Sequence, residues 1–197
     1  NLAIEEHPCY NSITLRFSTI YGYPAENGFM FIHLHTHSTY SFMRGLITPQ
    51  ALVDTAIGDG MPALALTDHH GLSGAVEFYI ACRSNGIHPI LGLTVNLSPP
   101  AELPTAASGP LVLLALDLGG WRSLCRISSN LNGENETLPF NQLANETTGL
   151  LCLSGGTYST LNTLVTTRQT HLAQHWLSLL ADLYPGRLYV ELNHHSP

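Results

Sequence analysis

Three histidines at alternate positions are the residues of this sequence best suited to chemistry. His33, His35 and His37 lie in the stretch HLHTHSTYS, directly after the apolar residues FMFI. Side chains on a strand alternate between its two faces, so an extended segment would place all three imidazoles on one side, about 6 to 7 Å apart. Two imidazoles of a His-x-His pair can share one divalent ion. The spacing therefore predicts a metal site on this segment.

A second group of metal-ligand residue types follows the next apolar run. The residues DHH at positions 68–70 come directly after ALALT, which is typical of a buried strand. In folds built from βα units, functional side chains collect at the carboxyl ends of neighbouring strands. We therefore expect Asp68 and His69 to lie near His35 and His37.

The elements that must position these residues are strands and helices in alternation. Short apolar runs alternate with amphipathic segments from Met30 onward, which predicts an α/β fold with a mostly parallel sheet. We expect six strands, at positions 30–36, 63–68, 88–93, 111–117, 149–155 and 187–193. We expect loops at positions 94–109 and 132–140.

Helix signals separate these strands. Thr48 can cap a helix that has Pro49 in its first turn. A second helix is expected to end at Asn85 and Gly86, a pair that commonly forms a left-handed stop. Two more helices are predicted in GWRSLCRISSNL and RQTHLAQHWLSLLADLY. In the last of these, the apolar residues at helical spacing are predicted to be core: Leu172, Trp176, Leu179, Leu180 and Leu183.

The composition narrows the class of protein. The chain has 197 residues, 44% hydrophobic and 11% charged, and no apolar run approaches the roughly 18 to 20 residues that span a bilayer, so one soluble domain is expected. The 14 acidic residues outnumber the 7 cations, all of them arginine, so binding of nucleic-acid phosphates by this chain alone is not expected. The four cysteines form no CxxC pair, which favours a reducing cytoplasm. Residues 1–29 show no clear hydrophobic periodicity and are interpreted as an upstream extension or a mis-assigned start, in which SITLRFSTIYGY could pair as an edge strand.

Several stretches in order resemble one known family. HLHTHSTYS, PALALTDHHGLSGAVEFY, GIHPILG, LVLLALDLGGWRSL and GLLCLSGG are similar to the PHP (polymerase and histidinol phosphatase) domain, most of all to the one at the amino terminus of bacterial DNA polymerase III alpha subunits. The resemblance implies a distorted, seven-stranded βα barrel with up to three metal ions at its strand ends. It implies hydrolysis of phosphate esters in active members, including 3′ ends of DNA in some polymerases.

The family's site carries over only in part. His35 and His37 match its His-x-His motif, and His69 matches the histidine of its TDH motif, in which Asp68 also lies. We therefore predict His35, His37 and His69 as metal ligands.

At four other positions the residue differs from the ligand that the family carries. Arg44 stands where the family has an aspartate, and Thr94 where it has a bridging glutamate. Pro110 replaces a histidine and Gly156 a cysteine. The family's DxH motif on a seventh strand has no counterpart, so residues 30–197 are interpreted as a PHP domain of about six strands without its last one.

Asp68, Glu77 and the remaining histidines named below are weaker candidates for the site. Asp68, His33 and His195 are second-rank metal ligands, and His194 accompanies His195 after the sixth predicted strand. Simpler roles are predicted for the others: helix pairing or solvent exposure for Glu77, a structural role for His88, and a solvent-facing helix surface for His171 and His175.

Two functions remain open from the sequence. The first is a catalytically degenerate structural or interaction module, related to the replicative polymerase alpha subunit and without polymerase activity of its own. The second is a metal-dependent phosphoesterase that uses a reduced ligand set, with Zn, Mn or Fe bound weakly or not at all. Expected partners are other replication proteins, the rest of a polymerase chain or a second copy, in the bacterial cytoplasm. An incomplete barrel would expose a strand edge, which favours such association or closure by residues 1–29.

Overall fold

A six-stranded mixed sheet forms the centre of the molecule. The structure, a computed structural model, describes residues 31–103, 106–131 and 137–192. The strands are β1 (Ala63–Leu66), β2 (His88–Ser98), β3 (Gly109–Ala115), β4 (Leu138–Pro139), β5 (Leu150–Leu153) and β6 (Leu188–Tyr189). They lie in the order β1-β2-β3-β5-β6, and β4 pairs with β2 beside this path.

One strand runs against the others. β1 and β2, β2 and β4, and β5 and β6 pair in parallel, whereas β3 is antiparallel to both β2 and β5. The expected parallel direction therefore does not hold at β3, and the described residues that connect it to β2, 99–103 and 106–108, form no helix, as the predicted loop requires. A short connection can reverse the chain, whereas a parallel partner would have needed a crossover.

The first predicted strand is also wrong, because its described residues do not form a regular strand. Residues 31–36 are extended beside β1 but bend at Leu34 and His35 and form no strand. Backbone hydrogen bonds from Ala65 N to His33 O and from Thr67 N to Thr36 O, each 2.9 Å, still connect the segment to β1. The Thr67 hydroxyl competes with the backbone hydrogen bonds that a regular strand pair would form, because its Oγ1 accepts a hydrogen bond from Thr36 N at 3.1 Å.

The sheet curls until its two ends meet. A buried apolar cluster takes residues from segment 31–36 and from the sheet: Ile32, Leu34, Ala63, Ala65, Ile90, Val112, Leu114, Leu151 and Leu153. His35 from the first segment contacts Glu191, just beyond β6, at 2.9 Å between Nδ1 and Oε1. The expected α/β fold of distorted barrel type is thereby confirmed.

The predicted helices are present. The α-helices of the described residues are α1 (Pro49–Gly58), α2 (Ala75–Ser84), α3 (Leu118–Leu131), α4 (Phe140–Ala144), α5 (Thr160–Thr166) and α6 (Thr170–Leu183). The four predicted ones are α1, α2, α3 and α6. The Thr48 hydroxyl accepts a hydrogen bond from Ala51 N at 3.3 Å, as its capping role requires. Gly86 has a φ of 74°, which confirms the left-handed stop after α2.

Both predicted loops are shorter in the structure than expected. β2 continues through Ser98, because Val95 and Leu97 remain fully buried, and Gly109 already begins β3. The prediction of a loop at 132–140 is wrong from position 138 onward, where β4 and α4 begin, while residues 132–136 lie outside the described part. Helix α5 was not anticipated, because its seven residues are too short to show a clear period.

The larger apolar cluster lies between the sheet and helices α3 and α6. Trp176 and Leu180 are buried there, and the other residues predicted from helical spacing pack against the cluster while partly exposed: Leu172, Leu179 and Leu183. Their predicted core role is confirmed. None of the helices in residues 31–103, 106–131 and 137–192 has both the length and the apolarity that crossing a bilayer requires.

Trp176 gives a direct test of this packing. Trp176→Ala should lower the free energy of unfolding by about 3 to 5 kcal/mol, since it removes the largest fully buried side chain and leaves a cavity. Urea denaturation followed by circular dichroism measures the change. Val165→Ala, at a 57% exposed position of α5, is the control and should change stability by less than about 0.5 kcal/mol. Equal effects of the two substitutions would contradict the described core.

Candidate functional site

A cavity of about 460 Å³ opens where segment 31–37, β1 and β2 bring their polar side chains together. It is lined by His35, His37, Arg44, His69, Thr94, Asn96, Ser108, Gly109, Pro110, Gly155 and Tyr158. Parallel pairing of β1 with β2 continues past the end of β1, where His69 bridges to Thr94. The three histidines predicted as metal ligands therefore line one cavity, as expected from their position at neighbouring strand ends.

His35 is held by a buried carboxylate that the sequence analysis missed. Its Nδ1 lies 2.9 Å from Oε1 of Glu191, whose side chain is only 2% exposed. A carboxylate only accepts hydrogen bonds, so Nδ1 carries a hydrogen and Nε2 is turned toward the cavity. The Glu191 backbone N–H donates to Ser154 Oγ at 2.9 Å, which holds Glu191 beside the end of β5. The available signal was an acidic residue inside the apolar run RLYVEL.

The hydroxyl of Thr94 lies between two of the imidazoles. Thr94 Oγ1 donates to the Thr67 carbonyl at 2.8 Å, and it is 3.3 Å from His35 Nε2 and 3.2 Å from His37 Nε2. A hydroxyl has one hydrogen and two lone pairs. Since that hydrogen points at Thr67, His37 Nε2 serves as an N–H donor to Thr94. His35 already carries a hydrogen on Nδ1, so a second one on its Nε2 would make the ring an imidazolium cation. The hydroxyl thus takes the contact of His37 for which a metal ion would need the nitrogen lone pair.

Burial keeps two of the histidines neutral. Desolvation, with smaller contributions from His35 and Arg44, lowers the pKa of His37 from 6.5 to about 4. Desolvation, followed by the charges of His70 and Arg44, lowers the pKa of His69 from 6.5 to about 3. At neutral pH both side chains are therefore uncharged imidazoles, the form in which histidine binds metals.

One buried ring nitrogen of His69 makes no hydrogen bond to the described residues. Its Nε2 has no hydrogen-bond partner among the described residues. Its ring centroid lies 6.3 Å from that of His37, which in turn lies 5.0 Å from that of His35. A buried polar atom without a partner carries a free-energy cost, so this nitrogen is a natural contact for a ligand.

Asp68 does not line the cavity, but its carboxylate holds the backbone beside it. Its Oδ1 accepts from Ser38 N at 2.7 Å and from Ser41 Oγ at 2.6 Å, and its Oδ2 accepts from Ser38 Oγ at 2.7 Å. Ser41 Oγ in turn accepts from His69 N at 2.9 Å. The carboxylate of Asp68 thereby ties the turn after His37 to the backbone of His69.

Three of the four positions that depart from the family ligands line the cavity. These are Arg44, Thr94 and Pro110, whereas Gly156 lies beside the lining residue Gly155 and contributes to a neighbouring pocket. Gly155 has a φ of 87°, and a side chain there would collide with the Pro110 carbonyl. No aspartate or glutamate of the described residues lines the cavity.

The weaker candidates lie elsewhere or beyond the described residues. The His33 ring packs edge-on against Phe31, with centroids 4.6 Å apart, because the bend at positions 34–35 separates it from the cavity. Glu77 accepts a hydrogen bond from the exposed Tyr40 hydroxyl at 3.0 Å. The others are placed as follows: His88 begins β2, His171 and His175 are exposed on α6, and His194 and His195 fall outside the described residues.

By residue type alone, the donor set would serve one metal ion at most. Three imidazoles, one backed by Glu191 and one with an unpartnered nitrogen, are ligands of the kind that Zn²⁺ accepts. A cluster of ions needs carboxylates to offset its charge, and none lines this cavity within the described residues. Over the same residues, no group of three or more His, Cys, Asp and Glu side chains has the geometry to hold a metal ion.

Curated relatives are much longer proteins. The chain is 33% identical over 168 residues to DNA polymerase III subunit alpha of Buchnera aphidicola subsp. Acyrthosiphon pisum, which covers 82% of this chain and 14% of that protein. It is 32% identical over 175 residues to the error-prone DNA polymerase of Symbiobacterium thermophilum, covering 83% and 16%. It is 41% identical over 107 residues to the Bacillus subtilis DNA polymerase III subunit alpha, covering 54% and 9%.

Solved structures give partial similarities. A two-domain protein from Bacteroides vulgatus containing a predicted PHP-like metal-dependent phosphoesterase matches with a TM-score of 0.42 and 20% identity, over 62% of this chain and 33% of that one. An amidohydrolase from Chromobacterium violaceum matches with a TM-score of 0.38 and 28% identity, over 48% and 32%. Neither similarity is close enough to carry an argument about the site.

The family comparison covers most of the chain. The PHP domain matches residues 33–195, a range that contains the His-x-His segment, the cavity and all six strands. The polymerase relatives share this region. The chain therefore belongs to the PHP domain family.

Proposed function

We propose that this chain is a structural or interaction module of the polymerase type of PHP domain, with no hydrolytic or polymerase activity of its own. The observation that carries the proposal is the hydroxyl of Thr94, which occupies the place between His35 and His37 where an ion would be bound. In this arrangement His35 is paired with Glu191 and His37 with Thr94, without a metal.

The charge of the cavity supports the same conclusion. Metal-assisted phosphate-ester hydrolysis needs an activated water and stabilisation of the charge on the leaving oxygen. Arg44 places a positive charge at a cavity that no described carboxylate lines. A cation is repelled by that charge, and a second cation would have no bridging ligand to offset the repulsion between the two ions.

The relatives suggest where such a module works. Because the chain spans only 14 to 16% of the first polymerase relatives, we propose that residues 30–197 act as one part of a longer replication protein, with residues 1–29 as an extension. Its partners would be the rest of such a chain, other replication proteins or a second copy. The domain would then contribute binding surface, while polymerisation takes place elsewhere.

A metal-dependent phosphoesterase with a reduced ligand set is the second candidate. It is favoured by the pairing of His35 with Glu191, since carboxylate-backed histidines are typical metal ligands, and by the unpartnered Nε2 of His69. His35, His37 and His69 would hold the ion, with Zn, Mn or Fe as the candidates. The ion would supply Lewis acidity and an activated water.

Metal content and hydrolysis separate the two functions. We expect the purified chain to hold well under one equivalent of Zn, Mn or Fe, because the hydroxyl of Thr94 lies between two of the three imidazoles. We expect no hydrolysis of a chromogenic phosphate ester or of a single-stranded DNA 3′ end when these metals are added. About one equivalent of metal together with hydrolysis that His35→Ala abolishes would establish the phosphoesterase instead. His175→Ala, at an exposed position of α6, is the matched control.

The buried neutral histidines predict a pH dependence of stability. The pKa values of His37 and His69 are lowered to about 4 and about 3 in the folded chain, against 6.5 when exposed. Below pH 6.5 the unfolded chain binds protons that the folded chain does not, so the free energy of unfolding should fall as the pH drops from about 6.5 toward about 4. Above pH 6.5 these two groups contribute no pH dependence.

Urea denaturation at a series of pH values tests this. His37→Gln should flatten the fall in stability between about pH 6.5 and 4, because one of the two proton uptakes is lost. His175→Gln should leave the slope unchanged. A slope that His37→Gln does not alter would show that this histidine is not buried as a neutral group.

A further inference from the structure

We propose that an exposed apolar surface, formed by loop 40–47 and helix α2, is the contact between two copies of this chain. The inference rests on the proposed function and deepens it, because it selects a second copy from the partners named there and gives the residues that would bind it. The two copies would meet about a twofold axis, each through the same surface.

The exposed apolar side chains of the protein are concentrated on this surface. Among the described residues, 14 large apolar side chains are exposed, and eight of them belong to loop 40–47 or to α2. These eight are Tyr40, Phe42, Met43, Leu46 and Ile47 in the loop, and Val76, Tyr79 and Ile80 on the helix. The exposed fractions of Phe42, Met43 and Leu46 are 86%, 88% and 94%. Single apolar side chains are ordinary on a protein surface, whereas a concentration of this kind marks an interaction site.

The loop and the helix are neighbours. The Tyr40 hydroxyl donates to Glu77 Oε2 at 3.0 Å, which joins the start of the loop to the first turn of α2. Tyr79 and Ile80 lie three and four positions after Val76, so the three side chains share the outer face of the helix. The apolar side chains of the two elements therefore adjoin and form one surface.

The loop has a fixed backbone. Thr39 N donates to Ile47 O at 2.9 Å, which closes the loop at its base. Ser41 Oγ donates to the buried carboxylate of Asp68 at 2.6 Å. Met43 has a φ of 58°, a left-handed conformation that residues with a side chain seldom adopt. Because the exposed side chains extend from an ordered backbone, binding through them carries a lower entropy cost.

The area of the surface matches what a stable dimer needs. At about 150 Å² for one large side chain, the exposed fractions of the eight side chains correspond to roughly 800 Å². A standard protein interface buries about 800 Å² on each partner. Monomeric proteins rarely expose an apolar patch of more than a few hundred Å². The surface is therefore large enough to serve as one half of a dimer interface.

The charges on α2 suit a second copy. The helix carries Glu77 in its first turn and Arg83 in its last turn, both side chains are exposed, and Arg83 has no ion pair among the described residues. They lie three positions on either side of Ile80. If two α2 helices cross antiparallel with Ile80 near the axis, Glu77 of each copy faces Arg83 of the other. This pairing offsets the repulsion between two chains that each have a net charge of -7.

Sedimentation equilibrium of the intact chain tests the proposal. We expect a dimer with a dissociation constant in the micromolar range or below. Ile80→Glu places two carboxylates near the axis and should raise that constant by at least about tenfold. Val165→Glu is the matched control, because Val165 on α5 is 57% exposed against 59% for Ile80, and this variant should dimerise like the parent chain. Circular dichroism verifies that both variants fold.

Reversal of the paired charges tests the twofold geometry. Glu77→Arg and Arg83→Glu should each weaken the dimer, because like charges then face each other across the axis. The double variant should regain most of the affinity of the parent chain, because it restores opposite charges at both contacts. A double variant that is as weak as the single ones would contradict the proposed contact.

Two other results would overturn the proposal. One is a monomer at about 100 μM, which would leave residues 1–30 of the same chain or a different protein as the occupant of the surface. The other is an equal dissociation constant for the Ile80→Glu and Val165→Glu variants. Failure of this inference without hydrolysis would leave the structural module intact, with a different partner. Metal-dependent hydrolysis by a chain that still dimerises would overturn the proposed function alone.

Discussion

The hydrogen bonds of the Thr94 hydroxyl are the interaction on which this site depends. One hydroxyl connects the end of β1, through the Thr67 carbonyl, with two histidines of the preceding segment. Because its hydrogen is used by Thr67, His37 Nε2 must act as the donor, and that requirement opposes metal binding by this nitrogen. Under the proposed function, the neutral hydroxyl at this position, where the family pattern has an acid, is the change that removes the metal.

The curled sheet makes this contact possible. Apolar side chains of segment 31–36 alternate with its histidines, so burial of Ile32 and Leu34 in the interior turns His35 toward the opposite side. The contact with Glu191 then joins the first segment to the chain beyond β6, across 156 residues of sequence. Burial of the apolar interior thus holds these polar side chains in place.

The sequence predicted the α/β class, the long helices and the grouping of His35, His37 and His69, because each follows from local periodicity and strand-end position. It did not predict the bend at positions 34–35, since the competing hydroxyl of Thr67 comes from another segment. Glu191 was missed because pairing over such a distance leaves no local pattern. The reversal at β3 was missed because loop composition at 99–108 does not reveal strand direction. Asp68 was predicted as a weaker metal ligand, but in the structure it accepts hydrogen bonds from Ser38 and Ser41. These bonds depend on a turn that residue spacing does not predict.

The most direct test of this account is nitrogen-15 NMR of the histidine side chains, recorded at neutral pH after treatment with a chelator and again after addition of Zn²⁺. With Thr94 as the acceptor, Nε2 of His37 should be protonated in both spectra, with an unchanged chemical shift. Loss of the hydrogen from His37 Nε2 on addition of one equivalent of Zn²⁺ would contradict the account and would show that the site still binds a metal ion.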